Sequence, residues 1–234
     1  MNDPHNLHGG AASPAEVARF DALAGRWWDP KGPMRPLHAM NPVRVGWITA
    51  RLPGPGTLLD VGCGAGLAAE ALARAGHDVT GIDAAGEAIA AARLHAGSLG
   101  IVYREALTGE LVAEGRRFAA VTALEVIEHV PDPAGFMRDL AALVAPGGRV
   151  FVSTLNRTVR SLAVAKLGAE YLLRLLPVGT HDWRRFVTPP ELARLGRGAG
   201  LRMVDSAGMS FDPLAGRWRI GRDLGINYIA AFGR

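Results

Sequence analysis

The sequence predicts an α/β fold: a doubly wound, mainly parallel, seven-stranded sheet with helices ahead of it and a helical insertion near its end. Three observations carry this expectation. From residue 57 onward, apolar β-branched runs alternate with alanine-rich helical patterns, and that βαβ rhythm builds parallel sheets. The first run, Thr57–Val61, passes through Asp60 into the glycine turn Gly62-Cys63-Gly64-Ala65-Gly66. Glycines there let the backbone take φ > 0 and let a ligand lie against the main chain. A second acidic residue, Asp83, closes the next run roughly 20 residues beyond the first glycine.

The elements follow in order. Residues 1–13 are polar and glycine-rich and are expected to be a disordered tail. Ser13-Pro14 starts a helix to about Leu23, with Ser13 as cap and Pro14 in the first turn. Trp27-Trp28-Asp29-Pro30-Lys31-Gly32-Pro33 reads as a rigid aromatic loop. Asn41-Pro42 caps a second helix to about Leu52, so residues 14–56 form an N-terminal helical cap. Pro53-Gly54-Pro55-Gly56 breaks the chain, and the main domain runs over 57–234. Its strands are expected at Thr57–Val61, Asp78–Ile82, near Ile101–Arg104, and at Phe118–Ala123, Arg149–Thr154, Arg202–Gly208 and Gly225–Phe232. Its helices are expected at Leu67–Ala75, Gly86–Gly97, Pro133–Val144 and Pro189–Gly200. Residues 156–188 break the rhythm and read as an insertion.

Composition narrows the function. The chain has 234 residues and a net charge of +4, spread over scattered arginines rather than a basic block, so nucleic acid is not an expected partner. Cys63 is the one cysteine, which excludes an intramolecular disulfide and a cysteine-rich zinc site. The N-terminus lacks the apolar core of a signal peptide, and no uncharged apolar stretch of about 20 residues is present. The expected location is cytoplasmic, with room for contact with a membrane.

The glycine spacing is G-x-G-x-G, not the G-x-G-x-x-G that cradles a pyrophosphate, which disfavours an NAD-dependent oxidoreductase. The loop resembles motif I of the class I S-adenosylmethionine (SAM) methyltransferases, with their Rossmann-like fold. Asp83 is placed to accept hydrogen bonds from ribose hydroxyls; the plain alternative is a helix cap. Cys63 reads as a small residue packed under the loop, since no histidine partner is arranged for it. After the fourth strand come Leu124-Glu125-Val126-Ile127-Glu128-His129-Val130-Pro131-Asp132-Pro133. On one helical turn Glu125, Glu128 and His129 share a face, and two carboxylates with an imidazole suit a divalent ion. Alternatively Glu128 and His129 only fix the loop. Asp132-Pro133 caps the next helix.

Further residues make the resemblance specific: Phe20 with Arg26-Trp27-Trp28-Asp29, Pro36-Leu37-His38, Asn41-Pro42-Val43-Arg44, Leu59–Gly66, Glu125–Pro133, Ser153-Thr154-Leu155-Asn156-Arg157, Gly168-Ala169-Glu170-Tyr171 and Gly179-Thr180-His181-Asp182. Through these the chain resembles the ubiquinone-biosynthesis O-methyltransferase family over nearly its whole length after residue 15. The resemblance implies SAM contacts at Arg44, Gly62, Gly64, Asp83 and Leu124. Arg44 would pair with the methionyl carboxylate, or else be a surface arginine; Leu124 would lie beside adenine. It implies Mg²⁺ at Glu125, Glu128 and His129, and a catalytic role for His129 and Glu128. His129 as general base and His129 as metal ligand are competing mechanisms. The implied substrates are a polyprenylated hydroxyphenol and a demethylubiquinol, a polyprenyl phenol or quinol in each case. Trp27 and Trp28 would line the substrate entrance or act as buried staples.

Treated as a helix, Arg160–Leu176 puts Arg160, Lys166, Glu170 and Arg174 on one arc and leucines over the remainder. A wide apolar face with a basic edge suits an interfacial helix on an anionic membrane surface, or an amphipathic helix packed on the core. His181 and Asp182 would close over the site or cap a turn. The implied location is cytoplasmic and peripheral at the inner membrane, and other ubiquinone-biosynthesis enzymes are candidate partners. Two other functions stay open: methylation of another lipophilic phenol, or a non-catalytic SAM- or lipid-binding module.

Overall fold

The computed structural model describes residues 14–167, 183–212 and 214–234. The expected tail and most of the expected interfacial helix, with Gly168–Tyr171 and Gly179–Asp182, lie outside the described residues. Strands β1 (Thr57–Val61), β2 (Asp78–Asp83), β3 (Val102–Glu105), β4 (Phe118–Leu124), β5 (Val144–Leu155), β6 (Arg202–Asp212), β7 (Arg217–Gly221) and β8 (Asn227–Gly233) form one sheet in the order β3-β2-β1-β4-β5-β8-β6-β7. The first five pair in parallel; β8 runs antiparallel to β5 and β6, and β7 antiparallel to β6. The helices are α1 (Pro14–Leu23), α2 (Arg35–Thr49), α3 (Leu67–Arg74), α4 (Gly86–Ala96), α5 (Thr108–Ala113), α6 (Pro133–Leu143), α7 (Val159–Leu167) and α8 (Pro189–Gly198).

Burial on both faces explains why the central strands read as continuous apolar runs. Successive strand residues point to opposite faces. Leu59, Val61, Val150 and Phe232 meet Leu111, Phe136, Leu140 and Leu192 of α5, α6 and α8. Leu58, Phe151 and Ile229, an odd number of positions away on the same strands, meet Trp47, Leu72 and Ile89 of α2, α3 and α4. Helix starts follow their caps. Asp132 accepts from the Ala134 and Gly135 amides, both at 3.0 Å. Thr188 and Glu191 form a reciprocal box ahead of α8.

Three expectations are corrected. The sheet has eight strands, not seven, because Arg217–Gly221 pairs with an extended β6. Gly208, expected as the end of β6, lies inside it; a Cβ there would overlap the Asp223 carbonyl. Helix α2 starts at Arg35, with Pro36 in its first turn and Pro42 in its interior. A proline in a helix interior removes one backbone hydrogen bond, so Asn41-Pro42 looked like a start. Asn41 is instead a buried tether, its Nδ2 donating to the Leu67 carbonyl at 2.8 Å. The short α5 lies between β3 and β4, where no element was expected.

Candidate active site

A cleft opens at the C-terminal edge of β1, β2 and β4, where open α/β sheets take ligands. It encloses about 1050 Å³, its open mouth included. The glycine turn forms its floor. Gly62 sits at φ 67°, and a Cβ there would lie 2.5 Å from Val126. Gly64 sits at φ 53°, and a Cβ there would overlap the Trp27 indole. Both positions therefore need glycine for conformation and for space. The Gly64 amide donates to Asp83 Oδ2 at 2.7 Å.

Asp83 also accepts from the Ala85 amide at 2.9 Å through Oδ1. The cap-like role is thus realised, and the side chain still lines the cleft. Burial raises its pKa against the opposing effect of these amides. Leu124 ends β4, buried on the cleft wall. Arg44 is buried too, not a surface arginine; its Nε donates to Asn41 Oδ1 at 3.0 Å. Burial lowers its pKa, while Glu125 and Asp60 oppose that.

Asp60 was read only as part of the motif, yet it is a site residue. Its Oδ1 accepts from Thr122 Oγ1 at 2.6 Å, while the buried Oδ2 has no hydrogen-bond partner among the described residues. Burial pushes its pKa to about 6. A cationic Arg44 and an acceptor on Asp60 in one cleft complement the carboxylate and ammonium of an amino acid moiety. With Asp83 for a ribose, the residues present fit SAM. Cys63 is a buried thiol against Gly81, where a Cβ would lie 3.0 Å from its Sγ, and burial with Asp60 and Asp83 pushes its pKa well up.

The tryptophans divide the two roles considered for them. Trp27 lines the cleft beside Gly64. Trp28 is a staple: it stacks on His95 at 3.4 Å and 5°, and its Nε1 donates to the Ala65 carbonyl at 2.9 Å. Helix α1 covers the cleft with Glu16, Val17 and Phe20. Glu16 Oε2 lies 3.2 Å from His129 Nδ1, and Phe20 meets that ring edge-on at 5.8 Å. Glu16 was missed because its partner is over a hundred residues away in sequence.

The shared face of Glu125, Glu128 and His129 is corrected. Residues 125–129 form a bend and a turn, not a helical turn, and Glu125 has φ 58°. Glu125 accepts from Ser153 Oγ at 2.6 Å and from Asn227 Nδ2 at 3.2 Å. Glu128 accepts from Thr154 Oγ1 at 2.8 Å and does not line the cleft; burial and the nearby Glu125 raise its pKa to about 8. His129 turns to Glu16. Among the described residues, no group of three His, Cys, Asp or Glu side chains could hold a metal ion. As arranged, the trio does not fit a divalent ion. Burial lowers the His129 pKa, so the imidazole is neutral near pH 7.

Comparison with known proteins accords with this geometry. A family model described as a methyltransferase domain matches residues 42–206. The ubiquinone biosynthesis O-methyltransferase of Azorhizobium caulinodans is 50% identical, over 92% of this chain and 91% of its own. The proteins of the same name from Caulobacter vibrioides and Aeromonas salmonicida are 48% and 44% identical, with 92% and 93% of each chain covered. Among solved structures, a magnesium protoporphyrin IX methyltransferase from Synechocystis with bound S-adenosylhomocysteine aligns at TM-score 0.64 and 20% identity, over 93% of this chain and 94% of that one. A SAM-dependent methyltransferase from Thermotoga maritima aligns at TM-score 0.66 and 17% identity, over 93% and 98%. These two share the fold. A glycine turn with Asp83, a cleft suited to an amino acid and a ribose, and relatives matched nearly end to end place this chain in the family of ubiquinone biosynthesis O-methyltransferases, enzymes that use SAM.

Proposed function

We propose that the protein transfers a methyl group from SAM to a hydroxyl of a polyprenylated hydroxyphenol, a catechol, and to that of 3-demethylubiquinol. One observation carries the reading: the cleft joins a polar end, Arg44, Asp60 and Asp83, to an apolar stretch of Val17, Phe20, Val130 and Phe136 beside a neutral His129. The first end suits SAM and the second a lipophilic phenol.

Bound SAM would supply a sulfonium methyl for in-line attack by the substrate oxygen, the C–O bond forming as the S–C bond breaks and a neutral thioether leaves. Arg44 and Asp60 would hold the amino acid end, Asp83 would accept from the ribose, and Leu124 would pack on the base. Gly62 and Gly64 keep the floor low enough for that approach; the Gly64 amide itself is spent on Asp83. With Glu16 Oε2 3.2 Å from His129 Nδ1, the carboxylate favours the tautomer with its proton on Nδ1, so that Nε2 carries the lone pair that takes the phenolic proton. Helix α1 excludes water from this end. Glu128, protonated at neutral pH, braces the loop from behind through Thr154.

Product mass with a short-tailed catechol and SAM tests the function. A singly methylated catechol is expected. Tight SAM binding with no product supports a binding module instead, and product from other phenols only supports a different substrate. His129→Asn is expected to lower kcat by about 10²–10⁴-fold with SAM affinity kept. Mg²⁺ at Glu125, Glu128 and His129, which the resemblance implies, is the finer claim of this reading; it requires Glu128 to leave Thr154 and His129 to leave Glu16. Loss of activity on chelation and its return with Mg²⁺ support the ion; full activity in a metal-free preparation removes it. Among the described residues no helix is long and apolar enough to cross a membrane. A cytoplasmic location, peripheral at the inner membrane and near other enzymes of the pathway, follows from the substrate reading.

A further inference from the structure

Asp60 Oδ2 is not the only unmatched polar atom of the cleft. The Trp27 indole Nε1 is also buried with no hydrogen-bond partner among the described residues. Trp27 is 6% exposed and lines the cleft. A buried indole N–H ordinarily finds an acceptor, and the neighbouring Trp28 does so on the Ala65 carbonyl. Trp47 Nε1 is unmatched too, but its ring packs against Phe151 and under Arg51 and does not line the cleft. An unmatched donor in the wall of a ligand cleft points to an acceptor on the ligand.

Packing fixes where that donor stands. The ring edge lies on Gly64, where a Cβ would be 2.3 Å from Cζ2, 2.5 Å from Cη2 and 3.1 Å from Cε2 of Trp27. Cε2 carries Nε1, so the N–H sits beside the glycine floor. Phe20 packs on the ring with centroids 6.2 Å apart, and His38 Nε2 lies 2.8 Å from the Trp27 carbonyl. The indole is therefore held from both sides and from its own backbone. Leu37 and Arg44, two turns apart on α2, line the same cleft.

We propose that Trp27 Nε1–H donates a hydrogen bond to the methionyl carboxylate of SAM, alongside Arg44. The inference deepens the proposed function and rests on its SAM reading. The match is one of donors and acceptors. The amino acid end of SAM carries an ammonium, which only donates, and a carboxylate, which only accepts. Asp60 Oδ2 is an unmatched acceptor and suits the ammonium; Trp27 Nε1–H is an unmatched donor and suits the carboxylate. The two do not satisfy each other, since neither has a partner. Hydrogen bonds to an ionised acceptor are the strong ones, and a rigid indole loses little freedom in making one. The tryptophan loop thereby takes part in holding the amino acid end.

The experiment uses the full chain and two ligands. S-adenosylhomocysteine carries the amino acid; methylthioadenosine keeps the nucleoside and the thioether and lacks it. Trp27→Phe removes the N–H and keeps an aromatic ring, with circular dichroism as the check on folding. By isothermal titration the variant is expected to bind S-adenosylhomocysteine about tenfold more weakly and methylthioadenosine as the unaltered protein does. In isotope-labelled unaltered protein, the five tryptophans give five indole N–H signals, assigned from single Trp→Phe variants. The Trp27 signal is expected to move downfield with S-adenosylhomocysteine and to stay with methylthioadenosine. Assignment by elimination from the other four variants keeps this readout should Trp27→Phe not fold. An equal loss of affinity for both ligands means that the ring only packs, and overturns the inference. So does unchanged affinity for S-adenosylhomocysteine, or a Trp27 signal that does not move with it. Unaltered protein that binds neither ligand overturns the SAM reading itself, and the inference with it.

Discussion

Asp83 uses both carboxylate oxygens inside the protein, on the Gly64 and Ala85 amides, and keeps a lone pair on each for ribose hydroxyls. Asp83→Ala is therefore expected to weaken SAM binding by about 1.5–3 kcal/mol, read by isothermal titration. Unchanged affinity in a folded variant would take Asp83 out of the site. Glu128 gives a second residue-level prediction. Its folded pKa, about 8, stands above the ordinary 4.5 of the unfolded chain, so the folded state binds this proton more tightly. Its contribution is fully present below about 4.5 and is lost as pH rises through about 8. The unfolding free energy of the ligand-free protein, read from urea melts, should fall between pH 6 and pH 8, by a few kcal/mol at most at roughly 1.4 kcal/mol per unit. Glu128→Gln should flatten that slope. An unaltered slope in the variant would assign it to other groups.

At the scale of elements, the glycine turn and the tryptophan loop fit one another. Gly64 lies against the Trp27 ring, and Trp28 fixes the Ala65 carbonyl. Gly64→Ala must strain a positive φ and push back a buried indole. It is expected to destabilise the protein by about 1–3 kcal/mol and to weaken SAM binding as well. Denaturant melts and a SAM titration measure the two effects. Helix α1 and the glycine turn were legible because their signals are local: a Ser-Pro start, and three glycines between a strand and a helix. The start of α2 was not, because an internal Pro42 mimics a boundary and Asn41 spends its amide on Leu67 rather than on a cap. Strand β7 carried a readable sign, the alternation Arg217-Trp218-Arg219-Ile220, but it lies between Gly208 and Gly225, where no element was expected.

For the whole molecule, the cleft is shared between α1 and the sheet edge, so ligand binding should tie the two together. SAM at a hundred times its Kd should add about 2.7 kcal/mol of stability, raising Tm by roughly 5–10 °C for a chain of this size. Proteolysis within residues 14–23 should slow in parallel. A rise in Tm with cleavage of α1 unchanged would mean that α1 does not close over the ligand.

The sequence by itself determined the alternation of strands and helices, the glycine turn, Asp83 as the acidic end of the second strand, and the family resemblance. Each of these is written in neighbouring residues or in a short period. Only the tertiary structure decided which side chains face the cleft. It gave Asp60 its unmatched oxygen, because Thr122 of the adjacent strand satisfies just one of the two. It turned Glu128 towards Thr154 and His129 towards Glu16, because the loop after β4 bends at a positive-φ Glu125 instead of winding into a helical turn. Spacing along a chain fixes a common face only where the backbone is regular, and at this loop it is not.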